Sequence, residues 1–189
     1  MTSEPAARLA AAIDLSLVPS SHPSPLSPEE FKAAFRGHPA GVAVITADDG
    51  TGPVAMTASS VFSLSAVPPL IVFSASATSS STPTIREAES VVVHLIGADD
   101  LWLARLGATS GVDRFGDGIR WDRLPTGEPY YPGAAVRIRA RIQARLDAGS
   151  AIVFVVEALE ATTAQDAART PLVYHDRTWH RLGEGSRAE

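Results

Sequence analysis

The longest regular pattern in the chain is a strict alternation of apolar and polar residues over positions 136–146. The apolar positions are Val136, Ile138, Ala140, Ile142, Ala144 and Leu146, and the intervening positions are Arg137, Arg139, Arg141, Gln143 and Arg145. A period of two predicts a long strand with one buried face. Residues 147–150 then predict a turn, and residues 151–159 are apolar almost throughout. The second run predicts a strand that is covered on both faces.

Shorter β-like runs occur elsewhere along the chain. Val42, Val44 and Ile45 lead through a turn at residues 48–52 into a second run at residues 54–59, which predicts a hairpin. Four further strands are predicted at residues 70–75, 91–96, 171–175 and 178–182, the last two flanking a turn at Asp176 and Arg177.

Few segments have helical spacing. Ser27, Pro28 and Glu30 form the pattern of a capping box, and the helix that follows places Phe31 and Phe35 on one face before it ends at Gly37. Two shorter helices are predicted at residues 84–88 and 99–106.

These elements predict one main domain. Residues 1–26 form an N-terminal arm with a Pro/Ser-rich linker, residues 27–183 form the domain, and residues 184–189 form a C-terminal tail. Many short strands, hairpin turns and few helices favour a mainly β fold, namely a closed or nearly closed antiparallel β-barrel with a few short helices.

Composition excludes several classes of function. The 189 residues carry a formal net charge of -5 without basic clusters, so nucleic acid is not an expected partner. The chain has no cysteine, which excludes disulfides, thiolate catalysis and cysteine-bound zinc, and its histidines lack metal-ligand spacing. Neither a signal peptide nor an apolar run long enough to cross a membrane is present, so we expect a soluble, cytoplasmic protein.

Two segments rich in small hydroxyl residues are candidates for ligand binding. In the first, residues 56–65, small side chains allow a flat ligand to approach the backbone, and the alternative is a solvated serine-rich turn. The second, residues 74–82, precedes a helix and has the hydroxyls and free amides that suit one phosphate. Its alternative is a loop in which Thr82 only caps the helix.

The order of these segments resembles the flavin reductase-like family. The matching stretches are FR at residues 35–36, PAGVAVIT at 39–46, MTASSVFSLS at 56–65, PPL at 68–70, DRF at 113–115 before Trp121, TG at 126–127 and PLVY at 171–174. Together they extend over most of the predicted domain. The resemblance implies an FMN-binding split barrel of Greek-key type that forms a homodimer.

The resemblance also assigns cofactor-binding residues. The flavin-ring segment consists of Met56, Thr57, Ala58, Ser59 and Ser60, and the ribityl and phosphate segment consists of Ser74, Ser76, Ser79, Ser80, Ser81 and Thr82. Arg114 adds a positive charge near the phosphate, Phe115 a hydrophobic wall, and Trp179 an aromatic ring close to the flavin. The alternatives are a surface ion pair between Arg114 and Asp113 and a core position for Trp179.

The activity that the resemblance implies is NADH- or NADPH-dependent reduction of FMN, with FAD or a deazaflavin as other possible cofactors, to supply reduced flavin to a partner monooxygenase. No catalytic residue is predicted, because the flavin carries the hydride chemistry. The family's Gly-Asp-His motif is replaced here by Gly149, Ser150 and Ala151. Two alternatives therefore stay open: a flavin carrier or flavoprotein with another electron donor, and a flavin-free interaction protein.

Overall fold

A seven-stranded antiparallel sheet forms the centre of the molecule, whose structure is a computed structural model that describes residues 24–163 and 170–188. The order of its strands is β3-β2-β6-β9-β10-β5-β4. Their bounds are Ala43–Asp48 (β2), Pro53–Ala58 (β3), Phe62–Ala66 (β4), Pro69–Ser76 (β5), Ser90–Leu95 (β6), Val136–Ala148 (β9) and Ala151–Thr163 (β10). The predicted mainly β fold is confirmed.

Two small sheets and three helices complete the described fold. Strands β1 (Ala40–Gly41), β11 (Leu172–His175) and β12 (Thr178–Arg181) form one sheet, and β7 (Asp122–Arg123) and β8 (Pro129–Tyr130) form the other. The helices are α1 (Pro28–Arg36), α2 (Thr82–Glu87) and α3 (Leu101–Ala108). None of the described helices is long and apolar enough to cross a membrane.

The large sheet curls strongly, because its two edge strands are consecutive in the chain. Strands β3 and β4 lie at opposite ends of the strand order, yet only residues 59–61 connect them. The chain from Ala58 to Phe62 can span at most about 14 Å, so the two edges must approach each other. They share no ladder of hydrogen bonds among the described strands. Of the predicted closed or nearly closed barrel, only full closure is wrong for the described chain, because a seam remains between β3 and β4.

The interior of the curled sheet holds the main apolar core. Phe73 of β5 and Phe154 of β10 stack with ring centroids 4.9 Å apart and are fully buried. Ile45, Val93 and Val156 complete its centre. A second core lies beneath α3, where Leu103 packs against the opposite side of β2 and β3. The long alternating run is β9, and its apolar positions Ala140 and Ile142 are buried as predicted.

The apolar run of β10 is buried on one face only. Ile152, Phe154 and Val156 point into the core, whereas Val153 and Val155 are half-buried on the outer face and Leu159 is exposed. The prediction of a strand covered on both faces is therefore wrong for the described residues. An apolar outer surface remains.

The local helix signals were informative at the start of α1. The Ser27 hydroxyl accepts a hydrogen bond from the Glu30 N–H, and the Glu30 carboxylate accepts one from the Ser27 N–H at 2.8 Å, which confirms the capping box. Helix α2 begins at Thr82, two residues before its predicted start, with Ser81 as its N-cap. Of the predicted N-terminal arm, residues 1–23 lie outside the described residues.

Candidate functional site

An open groove of about 910 Å³ lies where the two edges of the large sheet meet. Its floor contains Ser59, Ser60 and Ser74, one wall is α1, and the other wall is the β11–β12 hairpin. The volume lies within the range of small-molecule sites in proteins. The groove is therefore the leading candidate for a ligand site.

Serine hydroxyls join the segment between β3 and β4 to β5 in the floor of the groove. The Ser60 hydroxyl accepts a hydrogen bond from the Ser74 N–H at 3.2 Å and lies 3.1 Å from the Ser74 carbonyl oxygen, to which it donates. The two hydroxyls are 2.9 Å apart. Phe62 of β4 pairs with Val72 of β5, so these bonds continue the β4–β5 pairing in the same register, and they leave a small, polar surface open to the groove.

The α1 wall is aromatic. Phe31 and Phe35 pack with ring centroids 4.8 Å apart, as their spacing predicted, and remain 52% and 58% exposed. None of the residues of α1 is buried. Arg36 connects this wall to the opposite one, with its Nε 3.9 Å from a carboxylate oxygen of Asp176. Both side chains are exposed, so this ion pair adds little stability.

The opposite wall turns at Asp176 and Arg177, as predicted. Both residues have positive φ, at 44° and 60°, which is the geometry of a two-residue type I′ hairpin turn. Behind the turn, Tyr174 and Trp179 pair across the two strands with ring centroids 4.7 Å apart.

A side pocket of about 190 Å³ adjoins the groove. Ser59 and Tyr174 line both cavities, so the two are adjacent. The side pocket is completed by Val42, Thr57, Ala108 and Trp179. It combines an aromatic wall with hydroxyls from the end of β3.

The structure brings together five of the predicted cofactor-binding residues around these two cavities: Thr57, Ser59, Ser60, Ser74 and Trp179. The side chains of Met56 and Ala58 point into the core instead, because they alternate with Thr57 along β3. Neither residue lines the groove or the side pocket.

The rest of the predicted phosphate segment lies outside the two cavities. The Ser81 hydroxyl donates to the Ala55 carbonyl at 2.8 Å, and the Thr82 hydroxyl donates to the Ser76 carbonyl at 2.7 Å. Both residues are buried, so these hydroxyls hold α2 against the sheet. Ser76 and Thr78 share a hydrogen bond of 3.0 Å on the surface, and Ser79 and Ser80 follow them before the helix. Their role as phosphate ligands stays a prediction.

Arg114 and Phe115 lie beyond α3 rather than in either cavity. The Arg114 guanidinium donates to the Thr109 carbonyl at 2.6 Å, so it forms no ion pair with Asp113, whose carboxylate instead accepts from the Phe115 N–H at 2.9 Å. Phe115 stacks on Tyr131 with ring centroids 5.5 Å apart. Burial raises the pKa of the Tyr131 hydroxyl, which donates to the Arg114 carbonyl.

Among the described histidines, one is a core residue and two lie at the groove. His94 is fully buried, its Nδ1 donates to the Val44 carbonyl at 3.0 Å, and its Nε2 accepts from the Tyr131 N–H at 3.1 Å. Burial lowers the pKa of His94 to about 4, so the ring is neutral and serves the fold. His38 and His175, by contrast, line the groove.

The turn that replaces the family's Gly-Asp-His motif lies next to the serine-rich segment after β5. The Ser150 carbonyl accepts a hydrogen bond from the Ala77 N–H at 2.9 Å, and Ala151 pairs with Ser76. Gly149 has a φ of 61°, which the tight turn requires. The turn supplies hydroxyl and backbone groups there, with no imidazole.

The arginines of β9 form ion pairs and a cation–π contact within the chain. Arg139 pairs with Glu128 at 2.7 Å, Arg141 pairs with Glu157 at 2.6 Å, and the Arg137 guanidinium lies 4.3 Å from the Tyr130 ring centroid. Burial alone would raise the pKa of Glu128, but hydrogen bonds from Ser90, Thr126 and Arg139 outweigh it and lower this pKa to about 2.

Within residues 24–163 and 170–188, no group of three acidic or histidine side chains is placed to hold a metal ion.

Sequence reasoning missed the two walls of the groove. It placed Phe31 and Phe35 on one helix face and found the turn at Asp176 and Arg177, but it assigned neither feature to the site. A pair of aromatic residues on an otherwise polar helix was the available signal.

The residues present fit a flavin. An isoalloxazine ring is flat, with apolar faces and a polar edge, and the cavities combine the Trp179 and Tyr174 rings with the hydroxyls of Thr57, Ser59 and Ser60. Aromatic and apolar lining with a few convergent polar groups is typical of cofactor sites.

Comparisons with known proteins agree with this geometry. Residues 35–183 match the model of the flavin reductase like domain. An NADH:FMN oxidoreductase of Rhodococcus qingshengii is 37% identical over 178 residues, covering 86% of this chain and 93% of that protein. The reductase component of a 4-nitrophenol 4-monooxygenase/4-nitrocatechol 2-monooxygenase of Rhodococcus opacus is 29% identical, covering 80% of this chain and 79% of that protein.

A solved structure shows the same fold. The crystal structure of a flavin reductase domain protein from Arthrobacter sp. FB24 superimposes with a TM-score of 0.77 at 36% identity, covering 83% of this chain and 96% of that chain. The family model covers most of the chain, and the relatives match it over most of their own length. The chain therefore belongs to the flavin reductase-like family.

Proposed function

We propose that this protein is an NADH-dependent flavin reductase that binds FMN, or exchanges it as a substrate, in the groove at the seam of the sheet. The observation that carries this proposal is that Thr57, Ser59 and Ser60 line two adjacent cavities together with the Trp179 ring. The similarity to an NADH:FMN oxidoreductase of Rhodococcus qingshengii supports the same assignment.

A bound flavin supplies the centre that accepts a hydride from the nicotinamide. The chain supplies binding and orientation. Ser59 and Ser60 offer hydroxyls and amides to the polar edge of the ring, and the exposed rings of Phe31 and Phe35 cover apolar surface and exclude water from the groove. Hydride transfer needs no protein acid or base, which accords with the absence of a predicted catalytic residue.

The groove is large enough to hold a second ring beside the flavin. We place the nicotinamide cosubstrate between α1 and the β11–β12 hairpin, where His38 and His175 provide imidazoles that Gly149, Ser150 and Ala151 do not. Lys32, Arg36 and Arg177 line the same groove and offer positive charge to the pyrophosphate of a dinucleotide.

We further propose that two chains associate as a homodimer with the architecture of a split barrel. The outer face of the sheet carries a row of apolar residues, in which Phe62 is opposite Val72 and Val72 is opposite Val155. Phe62 is 54% exposed and also lines the groove. A partner that covers this row would bury it and would form a boundary of the groove.

The reduced flavin would be consumed by a separate monooxygenase. The Rhodococcus opacus relative is named as such a reductase component, which supports this assignment. The open groove accords with a flavin that must leave the reductase.

The test is anaerobic absorbance of the purified protein at the flavin band, with FMN and then FAD added, followed by NADH and then NADPH. Rapid bleaching of the flavin band at catalytic protein concentration is the expected result.

The second candidate function, a flavin carrier or a flavoprotein with another donor, is favoured by the absence of an imidazole at residues 149–151. Tight flavin binding without bleaching by either nicotinamide would support it and contradict the reductase.

A further inference from the structure

Helix α3 approaches strand β3 so closely at Gly107 that no side chain fits between them. A Cβ atom at this position would overlap the Thr57 hydroxyl oxygen and would lie 3.0 Å from the Thr57 backbone nitrogen and 3.2 Å from the Met56 carbonyl carbon. Gly107 is the second-to-last residue of α3, and this close contact is a packing reason for glycine at that position.

A hydrogen bond holds the same two elements together one turn earlier in the helix. The Thr57 hydroxyl donates to the Ala104 carbonyl at 2.7 Å. Ala104 and Gly107 are three residues apart and therefore lie on one face of α3. Thr57 thus packs directly against Gly107 and is hydrogen-bonded to Ala104, which leaves this part of β3 little freedom to move relative to the helix.

Thr57 belongs to the segment that lines the side pocket. Thr57 and Ser59 line this pocket from the edge of β3, and Ala108, the residue after Gly107, lines it from α3. A shift of α3 away from β3 would widen the pocket and move Thr57 at the same time.

We infer that Gly107 is a positioning residue, which sets the location of the flavin-ring segment by allowing α3 to contact Thr57 directly. The inference rests on the proposed function, because it takes residues 57–60 as the surface that meets the ring. It goes beyond that function by assigning a role to a helix residue that lines neither cavity.

The test compares Gly107→Ala, Thr57→Ala and the double variant with the unchanged protein. Fluorescence titration gives the dissociation constants of FMN and of riboflavin, which has the same ring without the phosphate. We expect Gly107→Ala to weaken both ligands by the same factor of about tenfold, since the ring segment moves. Thr57→Ala removes the overlapping hydroxyl. In that background, Gly107→Ala should therefore weaken flavin binding by about threefold or less. Gly185→Ala, which has open space around it, is the matched control and leaves both constants unchanged.

Thermal midpoints measured in parallel separate positioning from stability. A lower midpoint for Gly107→Ala with unchanged dissociation constants would overturn the inference, as would an equal loss of affinity in the presence and absence of the Thr57 hydroxyl. If Gly107→Ala does not fold, the double variant must fold and bind flavin; failure of both to fold would also overturn the inference. If the unchanged protein binds neither FMN, FAD nor riboflavin, the proposed function itself is overturned.

Discussion

The hydroxyl groups of Ser60 and Ser74 lie 2.9 Å apart beside the seam of the sheet, and the Ser60 hydroxyl also bonds the Ser74 backbone. This contact joins the segment after β3 to β5, although β3 and β5 share no ladder. Both residues line the groove, so this contact fixes part of the surface that we propose to meet the flavin.

Ser60→Ala removes these bonds and leaves the Ser74 N–H to be satisfied by water. We expect FMN affinity to fall about tenfold, because the floor of the groove loses its fixed geometry, while the thermal midpoint changes little at this exposed position. Calorimetric titration with FMN measures the effect. Ser65→Ala is the control, since its hydroxyl only accepts from the Val67 N–H on β4. Unchanged affinity in Ser60→Ala would contradict the assignment of the floor.

Trp179 provides an optical test of the side pocket. If the flavin ring lies near this indole, FMN binding quenches its fluorescence, and Trp179→Phe removes most of the quenching with a modest loss of affinity. Trp102→Phe, on the exposed face of α3, is the control and keeps the quenching. Equal quenching in the two variants would place the ring elsewhere.

His94 makes stability depend on pH in a defined window. Burial lowers its pKa in the folded protein to about 4 from an ordinary value of 6.5, so the unfolded chain binds a proton that the folded chain excludes. The contribution of the neutral His94 ring to the free energy of unfolding should therefore be fully present above pH 6.5. The free energy of unfolding should fall by about 3 kcal/mol as the pH decreases to about 4. Urea unfolding at several pH values measures this slope. In His94→Gln the slope across this window should be much smaller, although the variant is less stable at pH 7; an unchanged slope would show that another group causes it.

Val155 tests the homodimer. Val155→Lys places a charge in the apolar row on the outer face of the sheet, and we expect the mass measured by light scattering to halve. Val112→Lys adds the same charge at an exposed apolar residue outside the large sheet and should leave the mass unchanged. A monomeric mass for the unchanged protein would contradict the proposed dimer.

Arg177 adopts a left-handed backbone conformation that is unfavourable for residues with a Cβ atom. Arg177→Gly should therefore stabilise the β11–β12 hairpin by about 1 kcal/mol, offset in part by the greater freedom of glycine in the unfolded chain. Thermal denaturation should show a rise of about 2 to 4 °C. Arg181→Gly, within β12, should instead lower the midpoint. A lower midpoint for Arg177→Gly would show that the arginine side chain contributes more than its backbone costs.

Local signals in the sequence determined the elements of this fold. The capping box at Ser27 and Glu30 and the hairpin turns depend on neighbouring residues only, and they are present in the structure. The alternation along β9 is confirmed only as far as Ile142, because a register shift against β10 leaves Ala144 exposed. The order of the hydroxyl-rich segments also determined the family, because each motif keeps its place relative to the others.

Tertiary structure alone decided which of those residues share a site. Met56, Thr57 and Ala58 are adjacent in sequence, yet the pleat of β3 directs only Thr57 to the side pocket. Whether Ser81 faces a ligand or bonds the Ala55 carbonyl depends on a strand 26 residues away. The walls of the groove come from the two ends of the described chain, and their meeting depends on how the sheet curls. Such contacts between distant segments arise from packing, which no local pattern encodes.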